Sequence, residues 1–345
     1  MADIVTIAID AMGGDFGPQV TVPAALLCID TIPELRVLLV GRGNAIRDEL
    51  KKLRRHETEE LRIVEALEVV EMDDKPAAAL RLKKNSSMRV SADLVKEGRA
   101  HALVSAGNTG ALMAISRFVF KTHPNIDRPA IIASIPTVNG HCKMLDLGAN
   151  VDCSAKQLFQ FAVMGSIIAQ ELDGIAEPRV GLLNIGEEEI KGNDQVKRAN
   201  ELLRASPSIN YIGYVEGDAI YTGDANVVVC DGFVGNIALK TSEGLAKMLS
   251  SNLKEEITRN WYTKLLAFIS MPVLKRLRKR MDPAEYNGAS MVGLKHIAIK
   301  SHGNADAMSF ATAIRLAIEE VRTNIPALVG QGMTDFRIQA AMREN

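Results

Sequence analysis

Five segments place small polar residues beside glycines directly after an apolar run. They are Asp10-Ala11-Met12-Gly13-Gly14-Asp15, Ser105-Ala106-Gly107-Asn108-Thr109-Gly110, Asp146-Leu147-Gly148-Ala149-Asn150, Asn184-Ile185-Gly186-Glu187-Glu188 and Asp231-Gly232-Phe233-Val234-Gly235-Asn236. Glycine lets a backbone approach an anion closely. A helix that opens there adds unpaired N–H groups and the positive end of its dipole, which suit a phosphate. One glycine after a strand is an ordinary turn. Five such corners that also carry Asn, Ser and Thr point to a ligand. The candidate phosphate ligands are Asp10, Gly13, Gly14, Ser105, Gly107, Asn108, Thr109, Gly110, Asn150, Asn184, Gly186, Gly235 and Asn236, with Ser301 from a later corner.

Two titratable residues lie beside such corners. Lys191 follows the acidic run Glu187-Glu188-Glu189 and precedes Gly192-Asn193-Asp194. His302 sits in Ser301-His302-Gly303-Asn304, after the last apolar run. Either could offset negative charge or protonate a departing group, so both are the catalytic candidates. Ser105 is the nearest thing to a nucleophilic serine, but nothing supplies it with a base. There is no GxxxxGK[ST], GxSxG, HExxH or CxxC, and Gly41-Arg42-Gly43 falls short of GxGxxG. No metal and no cofactor are therefore expected.

These residues need a scaffold, and the pattern supplies an alternating one. Strands are expected at Ile4–Ile9, Arg36–Val40, Leu61–Val64, Ala102–Ser105, Ala130–Ile135, Lys143–Leu147, Arg179–Ile185, Asn210–Val215, Ala225–Cys230 and His296–Lys300. Helices are expected at Ala45–Arg54, Met88–Gly98, Thr109–Lys121, Ser154–Leu172, Asp194–Arg204, Gly235–Thr258 and Ala305–Asn324. The alternation predicts an α/β fold with a largely parallel sheet, covered on both faces where strands are apolar throughout. Ligands of such sheets bind beyond the carboxyl ends of the strands, where the corners fall. At 345 residues without a linker, the chain reads as one unit, residues 1–345, or two lobes of one.

Composition removes several classes. The balance of 41 basic and 42 acidic residues, net charge −1, argues against a nucleic-acid partner. Four separated cysteines (Cys28, Cys142, Cys153, Cys230) read as free buried thiols in a reducing cytoplasm. The start, MADIVTIAID, lacks a basic signal-peptide region, and no apolar run approaches the roughly 20 residues of a membrane span. One segment stands apart. Residues 257–283 are expected to form a protruding amphipathic helical element, with Trp261, Leu265, Phe268 and Ile269 on its apolar side. Lys275, Arg276, Arg278, Lys279 and Arg280 supply its basic side, and Pro272 should break it into two helices. It could pack in a dimer or lie in the headgroup layer of a membrane.

The longer motifs carry a resemblance. DAMGGDFGP (Asp10–Pro18), SSMRV (Ser86–Val90), VKEGRA (Val95–Ala100), SAGNTGALM (Ser105–Met113), LDLGANVDC (Leu145–Cys153), LLNIGEEEIKG (Leu182–Gly192), PSINYIGYVE (Pro207–Glu216), VCDGFVGNIALKT (Val229–Thr241), EYNGA (Glu285–Ala289) and IKSHG (Ile299–Gly303) occur in this order. Together they resemble the bacterial acyl-carrier-protein:phosphate acyltransferases of phospholipid synthesis. The resemblance runs from residue 4 to about residue 322. It implies transfer of a long-chain acyl group from acyl carrier protein to inorganic phosphate. The acyl phosphate would pass to the membrane glycerol-3-phosphate acyltransferase. It also implies a three-layer α/β/α sandwich with a largely parallel sheet, shared with isopropylmalate dehydrogenase and phosphate acetyltransferase, a homodimer, and a cytoplasmic protein held peripherally on the inner face of the cell membrane. Acyl carrier protein, an acidic partner, becomes a third occupant for the basic segment. Within the wider group, Asp231–Asn236 looks like the acetyltransferase Gly-Asn corner. Ser301–Asn304 looks like its Ser-Arg-Gly corner, with His302 in place of arginine. Two other readings stand beside this one: a nicotinamide-dependent dehydrogenase on the same fold, and a non-catalytic carrier-protein adaptor.

Overall fold

Burial on both faces decides which apolar runs become strands. The computed structural model describes residues 4–273 and 287–343. In chain order its elements are β1 (Val5–Asp10), α1 (Pro18–Ile29), β2 (Leu35–Gly41), α2 (Gly43–Lys52), β3 (Leu61–Glu65), α3 (Pro76–Leu82), α4 (Ser87–Lys96), β4 (Ala102–Ser105), α5 (Thr109–Phe120), β5 (Ala130–Thr137), β6 (Gly140–Leu145) and α6 (Ala155–Asp173). They continue as β7 (Val180–Leu183), α7 (Asp194–Arg204), β8 (Tyr211–Val215), α8 (Ala219–Thr222), β9 (Val227–Val229), α9 (Gly232–Thr258), α10 (Trp261–Ile269), β10 (Ala289–Val292), β11 (Ile297–Lys300), α11 (Ala307–Thr323) and α12 (Ile325–Arg343).

Among the described residues the strands form one 11-stranded sheet in the order β3-β2-β1-β4-β11-β10-β5-β6-β9-β7-β8. One face is a continuous core. Ala8, Leu103, Ala298, Ile131, Met144 and Val228 meet Met88 and Ala92 of α4 and Leu112 and Ile115 of α5. The other face is divided. Ile7 and Ile9 pack against Val22 of α1 and Phe310 and Ile314 of α11. Leu145, Val227 and Val229 pack against Phe161, Ala162 and Val163 of α6. Side chains alternate across a strand, so Ile7–Ile9 of β1 and all of β9 are apolar at successive positions. This three-layer arrangement is the expected α/β/α architecture.

The polarity of the sheet differs from the expectation of one shared edge. β10 was not predicted; Ala, Ser and Met give a four-residue strand little β signature. It pairs antiparallel with both β11 and β5, and β5 pairs antiparallel with β6. Consequently β1, β4 and β11 run together, while β6, β7 and β9 run the opposite way. The corners after β1, β4 and β11 therefore open at one edge, and those after β6, β7 and β9 at the other.

The protruding element is visible in part. α9 runs 27 residues, yet only Gly232 and Gly235 of it are buried. It ends at Thr258, and a capping box of Asn260 and Thr263 starts α10. α10 stops at Ile269, with Ser270 as its C-cap, just before Pro272. Trp261, Leu265, Phe268 and Ile269 are all exposed, Trp261 at 76% and Phe268 at 74%. Lys275, Arg276, Arg278, Lys279 and Arg280 lie outside the described residues. Among the described residues, no helix is long and apolar enough to cross a membrane.

Candidate active site

The corner after β1 and the corner after β4 are built into each other. Asp10 is fully inside, and its Oδ2 accepts from Ser105 Oγ at 2.6 Å. Ser105 Oγ in turn accepts from the Gly107 N–H at 3.0 Å. A Cβ on Gly13 would come 2.8 Å from Gly107 N, and one on Gly107 would come 2.7 Å from Met88 Cε. Only glycine permits this approach. Gly14 adopts φ +87° and turns the chain, so that Asp15 N donates to Gly303 O at 2.8 Å. Ser301 N donates to Ser105 O at 2.9 Å, which ties in the corner after β11.

The structure thus moves several candidates away from direct ligand contact. Asp10, Ser105 and Ser301 are at most 1% exposed and hold backbone in place. Ser301 Oγ accepts from Asn287 Nδ2 at 2.8 Å. Asn108 caps α5 by accepting from Ala111 N, and its Nδ2 donates to Met72 O and Asp74 O, each at 2.9 Å. Its side chain is occupied. What this corner leaves for a ligand is the exposed backbone of Thr109 and Gly110, whose first-turn N–H groups have no partner within the helix.

At the opposite edge, Asp146 plays the part of Asp10. It is buried and accepts from Ile131 N, Ala149 N, Asn150 N and Asn150 Nδ2 at 2.7–3.0 Å. Asn150 also donates to Pro129 O, so it too is structural. A Cβ on Gly235 would collide with the Asp146 carbonyl oxygen, which brings the start of α9 onto this corner. Asp231 caps α9 by accepting from Val234 N at 2.8 Å. Exposed Gly148 faces exposed Asn236, whose Cβ lies 3.5 Å from where a Gly148 Cβ would stand. In the β7 corner, Asn184 Nδ2 donates to the buried Gly186 carbonyl, and Lys191 is exposed beyond it.

α9 connects the two edges. Asn236, Lys240, Glu243 and Lys247 fall on one helical stripe (i, i+4, i+7, i+11). Lys240 Nζ lies 3.4 Å, and Glu243 Oε2 3.6 Å, from His302 Nε2. Asn236 is therefore about one turn, roughly 6 Å of helix rise, from the residue touching His302. His302 N donates to Asn287 Oδ1 at 3.1 Å, which gives the EYNGA motif a role in aiming the histidine. Burial holds the His302 pKa below its usual 6.5, reinforced by Lys240, Lys300 and Lys247 and opposed by Glu243. The imidazole is thus neutral in the free protein at neutral pH, and the standing positive charge comes from the lysines. Lys300 was not singled out from the sequence, because strand position alone does not show where a lysine head lands. Lys191 and His302 sit on corners of opposite edges, so they are not neighbours.

No nucleophile competes with a bound phosphate through sulfur. Cys153, beside the Asp146 corner, is buried and its thiol is pushed up to about 12; burial also pushes the Cys230 thiol well above its usual value. Among the described residues no group of three or more His, Cys, Asp or Glu is placed to hold a metal.

This fold is that of the phosphotransacetylases. A phosphotransacetylase from Streptococcus pyogenes superposes with a TM-score of 0.65 at 18% identity, over 92% of this chain and 94% of that one. A branched-chain phosphotransacylase from Enterococcus faecalis gives 0.57 at 15%, over 92% and 99%. The sequence goes further. The model of a family described as fatty acid synthesis protein matches residues 5–328, and the chain belongs to that family. Proteins named phosphate acyltransferase from Alkalilimnicola ehrlichii and Methylococcus capsulatus are 58% and 57% identical over 331 and 330 residues. Each alignment covers 96% of this chain, with 96% and 97% of the relative. The chain is accordingly an enzyme, a transferase of lipid biosynthesis.

Proposed function

We propose that the chain moves a long-chain acyl group from acyl carrier protein to inorganic phosphate. Acyl transfer to phosphate is the activity its relatives are named for, and neither the dehydrogenase nor the adaptor reading is favoured. The observation that supports the site is the α9 stripe, on which Lys240 meets His302 and Asn236 stands one turn away at the Gly148 corner. Phosphate binds at the Thr109 and Gly110 N–H groups under Lys240, Lys300 and His302. A phosphate oxygen attacks the thioester carbonyl, the C–O bond forms, the C–S bond breaks, and the thiol leaves with a proton. Phosphate is partly dianionic at neutral pH and a thioester is already activated, so positioning and charge stabilisation suffice. A bound dianion favours the protonated imidazole of His302. Asn236 and Lys191 serve the carbonyl oxyanion and the leaving thiol from the opposite edge. Apolar side chains exposed there, including Val151, Ile185, Ile190 and Phe233, offer the acyl chain a surface. Thiol release from palmitoyl carrier protein is expected to require phosphate; equal release without it overturns the reading.

The same proposal includes a homodimer, a carrier-protein dock and peripheral attachment to the inner face of the cell membrane. The product would be consumed by the membrane glycerol-3-phosphate acyltransferase. The support is the bare apolar surface of α10, which a monomer in water rarely leaves open. Two large apolar side chains contribute about 1.5–3 kcal/mol each when buried. Replacing Phe268 and Ile269 by Asp is therefore expected to weaken sedimentation with anionic vesicles at least ~100-fold. Activity on soluble carrier protein should survive. Undiminished vesicle binding, or loss of the dimer instead, would assign this cluster to protein packing.

A further inference from the structure

We propose that Lys300 is a positioning residue that sets the phosphate affinity of the β4 and β11 corners; this rests on the acyl-transfer reading above. Its side chain leaves the end of β11 and turns back between the two corners. Nζ donates to Ala106 O at 3.2 Å and to the Ser301 carbonyl. Those carbonyls belong to the residues immediately before Gly107 and before His302. One ammonium therefore holds both ligand-facing turns in register and leaves its charge beneath them.

The surroundings favour a role beyond packing. Asp10, on β1, is buried with Oδ1 unpartnered among the described residues. Asp15, in the loop after β1, also attracts Lys300, while Lys240 from α9 repels it. Among the described residues, Glu243 and Lys247 of α9 are further charged groups acting on the neighbouring His302. Among the described residues this ammonium hydrogen-bonds only to neutral carbonyls, and beside a second lysine it has charge to spare for an anion. Burial lowers its pKa to about 8, so that charge is present at neutral pH and is lost as pH rises through about 8.

The test is KM for phosphate and kcat between pH 6.5 and 9.5 for the wild type, Lys300→Arg and Lys300→Met, with thermal midpoints. Phosphate's own ionisation acts alike on all three proteins. The wild-type KM is expected to climb above pH 8. Lys300→Arg, charged throughout, should lose that climb. Lys300→Met should start about 10-fold higher or more at pH 7 and show no climb through pH 8 beyond what phosphate's own ionisation gives all three proteins. KM for the acyl donor should not move. A wild type inactive with phosphate would sink the acyl-transfer reading itself. An active Lys300→Met enzyme with the wild-type phosphate KM and pH profile overturns the role of Lys300 alone. So does an Arg variant that rescues stability but keeps the climb.

Discussion

Replacing His302 with alanine is expected to lower kcat for acyl transfer about 10²–10³-fold, the usual loss for one removed transition-state contact. The thermal midpoint should stay nearly unchanged. His302 is only partly buried, and its place in the chain is fixed by backbone: its N–H donates to Asn287, and Ser301 N donates to Ser105 O. Alanine keeps both bonds. Lys191→Ala should behave similarly, because Lys191 is exposed on its turn. The double variant adds a sharper reading. If the two groups serve different atoms of one transition state, their losses combine only in part. Wild-type turnover in both single variants would return them to ordinary surface residues.

Asp146→Ala should be the most damaging single change to stability. The carboxylate accepts four hydrogen bonds, from Ile131 N, Ala149 N, Asn150 N and Asn150 Nδ2. Alanine leaves these donors facing a void. A buried donor without its partner costs about 1–3 kcal/mol, so the total should reach about 4 kcal/mol or more. That is a large share of the 5–15 kcal/mol typical of a folded domain. Urea unfolding would show a much lower midpoint or an insoluble chain. A midpoint equal to the wild type would mean that water satisfies the corner and that Asp146 does not organise it.

Much of the architecture was legible in the sequence. The runs that became β1, β4, β9 and β11 are apolar at nearly every position, and periodicity found α5, α6 and α7 within a residue or two. The polarity of the sheet was not legible, because it turns on β10, four residues whose identity as a strand depends on neighbours supplied from far away. The glycines were found for a sound reason, since Gly13 and Gly235 each stand where a Cβ would run into backbone. Their polar companions were harder to read. Ser105, Asn108 and Asn150 look like ligands by type, yet each spends polar atoms on nearby chain, and Asp10 gives its Oδ2 to Ser105. Lys240 and Lys300 were missed because their value lies in a meeting between α9 and β11, 60 residues apart in sequence.

The central claim is direct transfer of the acyl group to phosphate, without an acyl-enzyme. A single-turnover experiment with excess enzyme, palmitoyl carrier protein and phosphate labelled with ¹⁸O in all its oxygens tests it most directly. Direct transfer gives palmitoyl phosphate that retains every labelled oxygen, no thiol release when phosphate is omitted, and an unchanged protein mass throughout. Thiol release without phosphate, accompanied by a gain of one palmitoyl group on the protein, would contradict it.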